Sequence, residues 1–472
     1  MQIVLRPRQV EMMAGCRQAL KRVNRVLLQA PTGFGKTALA TFITGETAAK
    51  GLGVWFICHR QELVDGASNT FKKYGIPHAF IAAGHPRNLK ELVQVCSIDT
   101  LKNRLATLVA PKIALIDEGH HCAAAGWAVV IAWLIANKCR VILLSATPKR
   151  QDGKPLSEHC DEMVLGPQVA ELIEDGSLAK FLAFIPDVPD MKGVRKMMGD
   201  FKKADAAERM DKPKLTGNII KHWKKYAAGL KTIGFAVNVA HSQHLAESFR
   251  AAGIRAEHLD GTTDKAERKR IIMQFANGEI DVLWNVDLFG EGFDLSAIAG
   301  TDVTVDCVID ASPTQSLAKV MQRWGRALRP GLVKIKIILD HAGNMLRHGF
   351  PDDHREWSLD GDDETSGGGG SSGPPPPVIC EGCFNAIKRP LPDCCPYCKK
   401  SLQAKQKEIE VAEGELKAAD AAAKESVRAK IKREMDACKD LGALTAYFAK
   451  QGVANPAGRA NVEFGSRRYR KR

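Results

Sequence analysis

Val26-Leu-Leu-Gln-Ala-Pro-Thr-Gly-Phe-Gly-Lys-Thr37 is the stretch from which the rest of the chain is read. Val26–Gln29 is a short apolar run of the kind that a buried parallel strand produces. Ala30-Pro-Thr-Gly-Phe-Gly-Lys-Thr37 then fits the phosphate-binding pattern G-x-x-x-x-G-K-[ST], with Ala30 where the first glycine stands. Thr32, Gly33 and Gly35 form the cradle, and the glycines let backbone N–H groups curl round phosphate oxygens. Lys36 offers a point charge to the outer phosphates. Thr37 offers a hydroxyl to Mg²⁺, and the helix that follows turns its positive end toward the anion. A glycine turn followed by a chance Lys-Thr is the alternative; the strand before and the helix after speak against it.

The same alternation surrounds this loop. Within residues 1–165, Val54–Cys58, Val93–Cys96, Ile113–Ile116 and Val141–Leu144 are further apolar runs separated by helical stretches. Such runs predict a parallel sheet covered by helices on both faces. Ile113–Ile116 leads into Asp117-Glu118-Gly119-His120. An acid at the end of a strand can hold Mg²⁺, so Asp117 joins Thr37 as a candidate metal holder, and Glu118 can accept a proton from an attacking water. Alone, such a pair is an ordinary solvated strand end. Its place 80 residues beyond Thr37 makes it a nucleotide-site candidate. His120 and His121 read as coupling or surface residues, since no partner spacing makes them metal ligands.

Residues 166–212 are less regular and read as a connecting region. The strand pattern restarts in 213–360 with Thr232–Val237, Arg255–Leu259, Val282–Trp284, Cys307–Ile309 and Lys334–Leu339, interleaved with helical stretches such as His241–Ala252 and Lys265–Asn277. The predicted fold class is therefore α/β, with two tandem parallel-sheet domains facing one cleft. Residues 361–377 read GDDETSGGGGSSGPPPP and predict a disordered linker, flexible first and stiffer at its prolines. A cysteine-rich knob (378–400) and a charged helix with a basic tail (401–472) complete the chain.

Composition narrows the function classes. The 472 residues carry 68 Lys plus Arg against 54 Asp plus Glu, a net charge of +14, which favours a polyanionic partner, either nucleic acid or an acidic membrane surface. The longest apolar run, Ala128–Ala136, is about half of what spans a bilayer. Arg6 and Arg8 with no apolar stretch behind them argue against a signal peptide. Of 13 cysteines, five fall between Cys380 and Cys398, which fits a reducing, cytoplasmic setting with one local metal site better than a disulfide framework.

In this order the motifs resemble the superfamily 2 DExH-type helicases, which have two RecA-like domains. The resemblance covers residues 1 to about 345 and is nearest to XPB-like, restriction-subunit and phage branch-migration enzymes. It implies an ATP-dependent motor that uses Mg²⁺. Leu5-Arg-Pro-Arg-Gln9 resembles the motif that reads adenine, through Gln9. Phe56–Val64 and Val95–Leu101 resemble strand-contacting motifs, which offers Arg60, Ser97 and Thr100 as nucleic-acid contacts; each is equally readable as a surface or capping residue. Ser145-Ala-Thr-Pro148 resembles the motif that couples hydrolysis to motion. Asn285–Leu295 resembles the segment where Gly292 and Asp294 approach the nucleotide. Gln322–Pro330 matches the arginine-finger motif, with fingers at Arg326 and Arg329.

That motif also has a physical reading. Phosphoryl transfer spreads negative charge over the γ-phosphate oxygens, and a guanidinium from the opposite domain meets it only in a closed cleft. On a helix, Gln322, Arg326 and Arg329 share one face. A solvated basic helix is the alternative. The expected catalytic set is Lys36, Asp117, Glu118, Gln322, Arg326 and Arg329. The expected partner is DNA, with RNA less favoured and no membrane, alongside replication, recombination or repair proteins. A motor subunit of a nuclease assembly and a nucleotide-gated binding protein remain as alternatives.

Cys380-Glu-Gly-Cys383 and Cys395-Pro-Tyr-Cys398 are two C-x-x-C pairs separated by 11 residues, which suits a tetrahedral zinc ribbon. Cys394 is a competing fifth ligand. A redox pair is the alternative. Residues 455–472 carry six Lys or Arg and one Glu. With the linker, they predict a tethered module that steers the motor to nucleic acid. Loss of zinc from such a module should leave basal hydrolysis mostly intact.

Overall fold

The computed structural model describes residues 3–149, 154–186, 188–197, 199–289, 295–360, 375–402, 433–451 and 455–469. The chain divides into two compact units, Met1–Gln403 and Ala404–Arg472.

The first unit holds two parallel sheets. In the first, β1 (Arg25–Gln29), β2 (Val54–Cys58), β3 (Ala79–Ile81), β4 (Val93–Ser97), β5 (Ile113–Ile116), β6 (Arg140–Ser145) and β7 (Glu162–Leu165) lie in the order β3-β4-β2-β5-β6-β1-β7. Every pairing is parallel. All five residues of β2 are buried, as a strand covered on both faces requires. The two edge strands are the ones outside the apolar runs named above. β3 is three residues long, and β7 is only partly buried.

The second sheet contains β8 (Lys180–Phe184), β11 (Thr232–Phe235), β12 (Ala256–Leu259), β13 (Val282–Asn285), β14 (Cys307–Asp310) and β15 (Ile335–Asp340), in the order β12-β13-β11-β14-β15-β8. A two-strand ribbon, β9 (Lys196–Met197) and β10 (Asp200–Phe201), precedes β11. The stretch read as a connecting region thus supplies β8, the edge strand of this sheet. Its parallel partner β15 stands far downstream, so its apolar residues carry no local pairing signal.

The cysteine-rich knob departs most from expectation. It forms a small antiparallel pair, β16 (Val378–Ile379) with β17 (Ala386–Ile387), and it belongs to the first compact unit. Phe184 at the end of β8 bridges antiparallel to Asn385, and the Ile185 N–H donates to the Phe384 carbonyl at 2.9 Å. The knob is therefore docked on the second sheet. The predicted linker lies, for residues 361–374, outside the described residues.

In the second unit, the helices Leu441–Lys450 and Pro456–Tyr469 pack through Leu444, Phe448 and Ala460. Asp440 caps the first by accepting from the Ala443 N–H at 2.8 Å. Most of the expected charged helix, residues 403–432, lies outside the described residues, as does the end of the basic tail at 470–472. Among the described residues, no helix is long and apolar enough to cross a membrane.

Candidate active site

The phosphate loop leaves the C-terminal end of β1. Gly33 (φ +90°) and Gly35 (φ +93°) both adopt left-handed backbone, and Gly35 caps the helix Lys36–Ala48. Side chains rarely tolerate that region, which explains glycine at both positions. Lys36 Nζ donates to the carbonyls of Ala30 (2.9 Å) and Pro31 (3.4 Å), so its ammonium sits inside the loop. Burial holds its pKa below the ordinary lysine value. Glu118 and Asp117 oppose that shift, and Arg329 adds to it.

Gln9, on the helix Pro7–Arg22, is buried against the same loop. Its Nε2 donates to the Phe34 (3.0 Å) and Gly35 (3.3 Å) carbonyls, and its Oε1 accepts from the Arg6 N–H at 2.9 Å. Arg6, Pro7, Gln9, Phe34, Leu172 and Asp175 line a cavity of about 380 Å³ there, next to the phosphate loop.

Asp117 and Glu118 follow β5. Burial, then Glu118, raises the Asp117 carboxyl to about 6, against the pull of Lys36. Glu118 has φ +50°, a left-handed conformation that costs a non-glycine residue roughly 1–3 kcal/mol. It is 7% exposed, and its Oε2 has no hydrogen-bond partner among the described residues. His120 Nδ1 stands 3.5 Å from that oxygen and 3.2 Å from Ser145 Oγ. His120 thus stands between Glu118 and Ser145, the first residue of the Ser145–Pro148 motif.

The second sheet contributes from the opposite side. Gln322 is 4% exposed, and its Nε2 has no hydrogen-bond partner among the described residues. Arg326 is 7% exposed and its Nε donates to the Phe289 carbonyl at 3.0 Å. The helix ends at Gly325, so Arg329 lies beyond it. The shared helical face expected for all three residues therefore does not extend to Arg329. A Cβ on Gly325 would stand 2.7 Å from the Thr32 Cβ, so this segment abuts the phosphate loop directly. Arg323, in the same motif, turns inward instead. Its Nη1 donates to Asp310 Oδ1 (3.1 Å) and the Ser312 carbonyl (2.8 Å). Gly292 and Asp294 lie outside the described residues.

Arg60 precedes the helix Gln61–Lys73 and Ser97 precedes the short helix Ile98–Leu101, at the ends of the paired strands β2 and β4. Thr100 Oγ1 accepts from the Ala83 N–H at 3.1 Å. All three lie at the C-terminal edge of the first sheet.

One contact had no signal in the sequence. Leu178, 2% exposed, places its Cδ2 2.5 Å from where a Cβ on Gly33 would be. The next residue, Ala179, donates its N–H to the Leu328 carbonyl at 2.8 Å, between the two expected fingers. The start of β8 thus touches the phosphate loop and the arginine segment together.

In the knob, the sulfurs of Cys380, Cys383, Cys395 and Cys398 all lie within 4.8 Å of one another. The Cys380–Cys398 and Cys383–Cys395 separations are both 3.6 Å. A tetrahedron with zinc–sulfur bonds of about 2.3 Å has edges of roughly 3.8 Å, whereas a disulfide needs about 2.05 Å. The donor set fits a tetrahedral soft metal. Cys394 is exposed and outside the cluster.

Comparison with known proteins agrees with this geometry. The family described as type III restriction enzyme, res subunit, matches residues 2–150, and the helicase conserved C-terminal domain matches residues 211–331. A protein of a Lactococcus phage (isolate 7-9), named only as a 51.5 kDa protein, is 34% identical over 331 residues, covering 70% of this chain and 68% of its own. The candidate ATP-dependent helicase IRC3 of Saccharomyces cerevisiae is 30% identical over 348 residues, covering 69% of this chain and 49% of its own. This chain thus matches only about half the length of that yeast relative. The structure of the ATP-dependent type ISP restriction-modification enzyme LlaBIII bound to DNA shares the fold, with a TM-score of 0.52 and 14% identity over 71% of this chain and 27% of that one. The chain belongs to the superfamily 2 helicases, enzymes whose two α/β domains hydrolyse ATP.

Proposed function

We propose that this chain is an Mg²⁺-dependent DNA translocase or helicase that hydrolyses ATP between its two sheets. The observation that carries the reading is the meeting of Thr32 with Gly325, beside Lys36 and Arg329. Lys36 and the N–H groups of Gly33 and Gly35 hold phosphates; Thr37 and Asp117 hold Mg²⁺. Glu118, one of whose buried oxygens has no hydrogen-bond partner among the described residues, takes the proton of the attacking water. Gln322, Arg326 and Arg329 meet the transition-state charge. The cavity beside Gln9 takes the base. Arg60, Ser97 and Thr100 grip the strand backbone, a contact that positions without reading sequence.

DNA is favoured over RNA by the restriction-subunit family match, and the net charge of +14 suits either polyanion. Replication, recombination or repair proteins are the partners proposed, in the cytoplasm. The Cys₄ cluster holds one structural Zn²⁺. The same family match supports a second reading, in which the chain drives a separate nuclease subunit.

The test is phosphate release with single-stranded, duplex and branched DNA and with RNA at fixed salt. DNA-stimulated hydrolysis supports the reading, and stimulation by RNA alone overturns the DNA assignment. Cleavage that appears only with a co-purified partner favours the second reading.

A further inference from the structure

We propose that the Cys₄ knob is a metal-dependent clamp on the motor, holding β8 at one end while the other end of that strand roofs the nucleotide loop. This rests on reading the four cysteines as a zinc site, and it goes beyond that reading by giving the metal a role in hydrolysis.

The knob cannot hold its own shape. Its buried cluster consists of Cys380, Cys383, Ile387 and Cys395, with Leu402 against it. Three of those four buried residues are ligands, so the core is largely the metal site, and a domain this small needs such a staple. Each C-x-x-C pair is followed by a non-glycine residue in left-handed backbone, Phe384 at φ +61° and Lys399 at φ +63°. Both conformations cost energy that the metal–thiolate bonds offset.

The docking contacts come from that strained corner. The Phe384 carbonyl accepts from the Ile185 N–H at 2.9 Å, and Asn385 bridges Phe184. Asn385 also directs its Nδ2 to Cys395 Sγ at 3.9 Å, so one residue touches both the strand and a ligand. The Tyr226 hydroxyl donates to the Cys383 carbonyl at 2.8 Å. The Phe184 ring, fully buried, stacks on Tyr226 at 4.1 Å and meets the Tyr397 edge at 5.1 Å. Without the knob, the end of β8 would lose Phe384, Asn385 and Tyr397 as partners, and an unpaired edge is a liability.

Five residues separate this clamp from the nucleotide loop. β8 begins at Lys180, directly after Leu178 on Gly33 and Ala179 on Leu328. β8 also pairs with β15 along its length, so release at Phe184 removes one of its two lateral supports and loosens the strand that carries Leu178 and Ala179. Metal occupancy then acts on the loop and the arginine segment together. A freely tethered module predicts instead that β8 and its contacts on the loop are untouched by loss of the metal.

The test uses the full-length protein. Zinc content, DNA-stimulated hydrolysis and amide hydrogen exchange are measured for the wild type, Cys395→Ser, Cys394→Ser and Tyr226→Phe. Cys395→Ser should lose the metal, drop the stimulated rate by about ten-fold, within the usual range for coupled sites, and speed exchange at residues 178–185. Cys394→Ser should match the wild type. Tyr226→Phe should keep the metal yet speed exchange at Ile185, because it removes only the hydroxyl on the Cys383 carbonyl. Should Cys395→Ser fail to fold, chelation of the wild type supplies the metal-free arm. A wild type that holds no zinc rejects the metal reading itself. Zinc bound and then removed, with rate and β8 exchange unchanged, rejects the clamp and leaves the metal site standing. Exchange that rises equally across both sheets also rejects it.

Discussion

The phosphate loop and the Cys₄ knob are both short motifs built on left-handed turns, yet they are held together differently. In the loop, the left-handed positions are Gly33 and Gly35, where the conformation is nearly free. The surrounding fold already supports it, through β1, the helix Lys36–Ala48 and the Gln9 amide. In the knob, those positions are Phe384 and Lys399, and the buried core is mostly thiols. The loop is therefore shaped before its ligand arrives, whereas the proposed metal would shape the knob. Chemistry can be removed from the first without touching the fold, and removing the proposed metal from the second should disturb it.

The largest effect expected on the loop side is that of Lys36→Ala. It should nearly abolish DNA-stimulated phosphate release while the melting temperature stays close to wild type, because among the described residues Lys36 hydrogen-bonds to loop carbonyls alone. Wild-type turnover in that variant would remove the loop from the mechanism. Next come the two arginines. Arg329→Ala should cut kcat by on the order of 10²-fold with ATP affinity retained, as for other preorganised donors. Arg326→Ala should lose rate and stability together, since it removes the buried bond from Arg326 Nε to the Phe289 carbonyl, a charge-assisted contact of roughly 1–3 kcal/mol. Equal melting temperatures for the two variants would break that distinction.

A smaller, geometric effect is expected from Gly325→Ala. Its new Cβ would press on Thr32 at 2.7 Å, so the two sheets cannot close fully over the loop. The stimulated rate should fall further than ATP binding does, and equal losses would point to a damaged loop instead.

The smallest effect sharpens the knob side. His341 is fully buried beside His222, whose ring packs on Phe384 of the knob, and neither His341 ring nitrogen has a hydrogen-bond partner among the described residues. Burial, with a contribution from His222, pushes its pKa down to about 3. The unfolded chain takes up that proton near pH 6.5 and the folded chain does not, so stability is lost as pH falls below about 6.5. The slope is on the order of 1 kcal/mol per pH unit. His341→Leu should flatten the fall in melting temperature between pH 6.5 and 5, and an unchanged slope would place the acid sensitivity elsewhere.

Much of the motor was legible as sequence. β2 and β5 run where their apolar stretches predict, because a strand buried on both faces writes its burial continuously into the chain. The placement of the candidate phosphate loop and of the Asp117–Glu118 pair was equally legible, since each candidate residue sits beside the turn that aims it. β3 and β7 were not, being short or half-exposed edges whose strand character comes from a neighbour. The arginine motif was legible in composition and misread in shape. Gly325 and Pro330 are local helix-stop signals, but nothing local says that Arg323 turns toward Asp310.

The sequence by itself determined the two α/β domains, the phosphate loop with its acids, and the paired cysteines. These depend on residues close together in the chain, where spacing and backbone geometry are nearly the whole physics. Only the tertiary structure decided that β8 joins the second sheet, that Leu178 rests on Gly33, and that the knob seals the far end of that strand. Those contacts bring together residues from distant parts of the chain. Their energy comes from which surfaces meet after folding, and no single stretch records that.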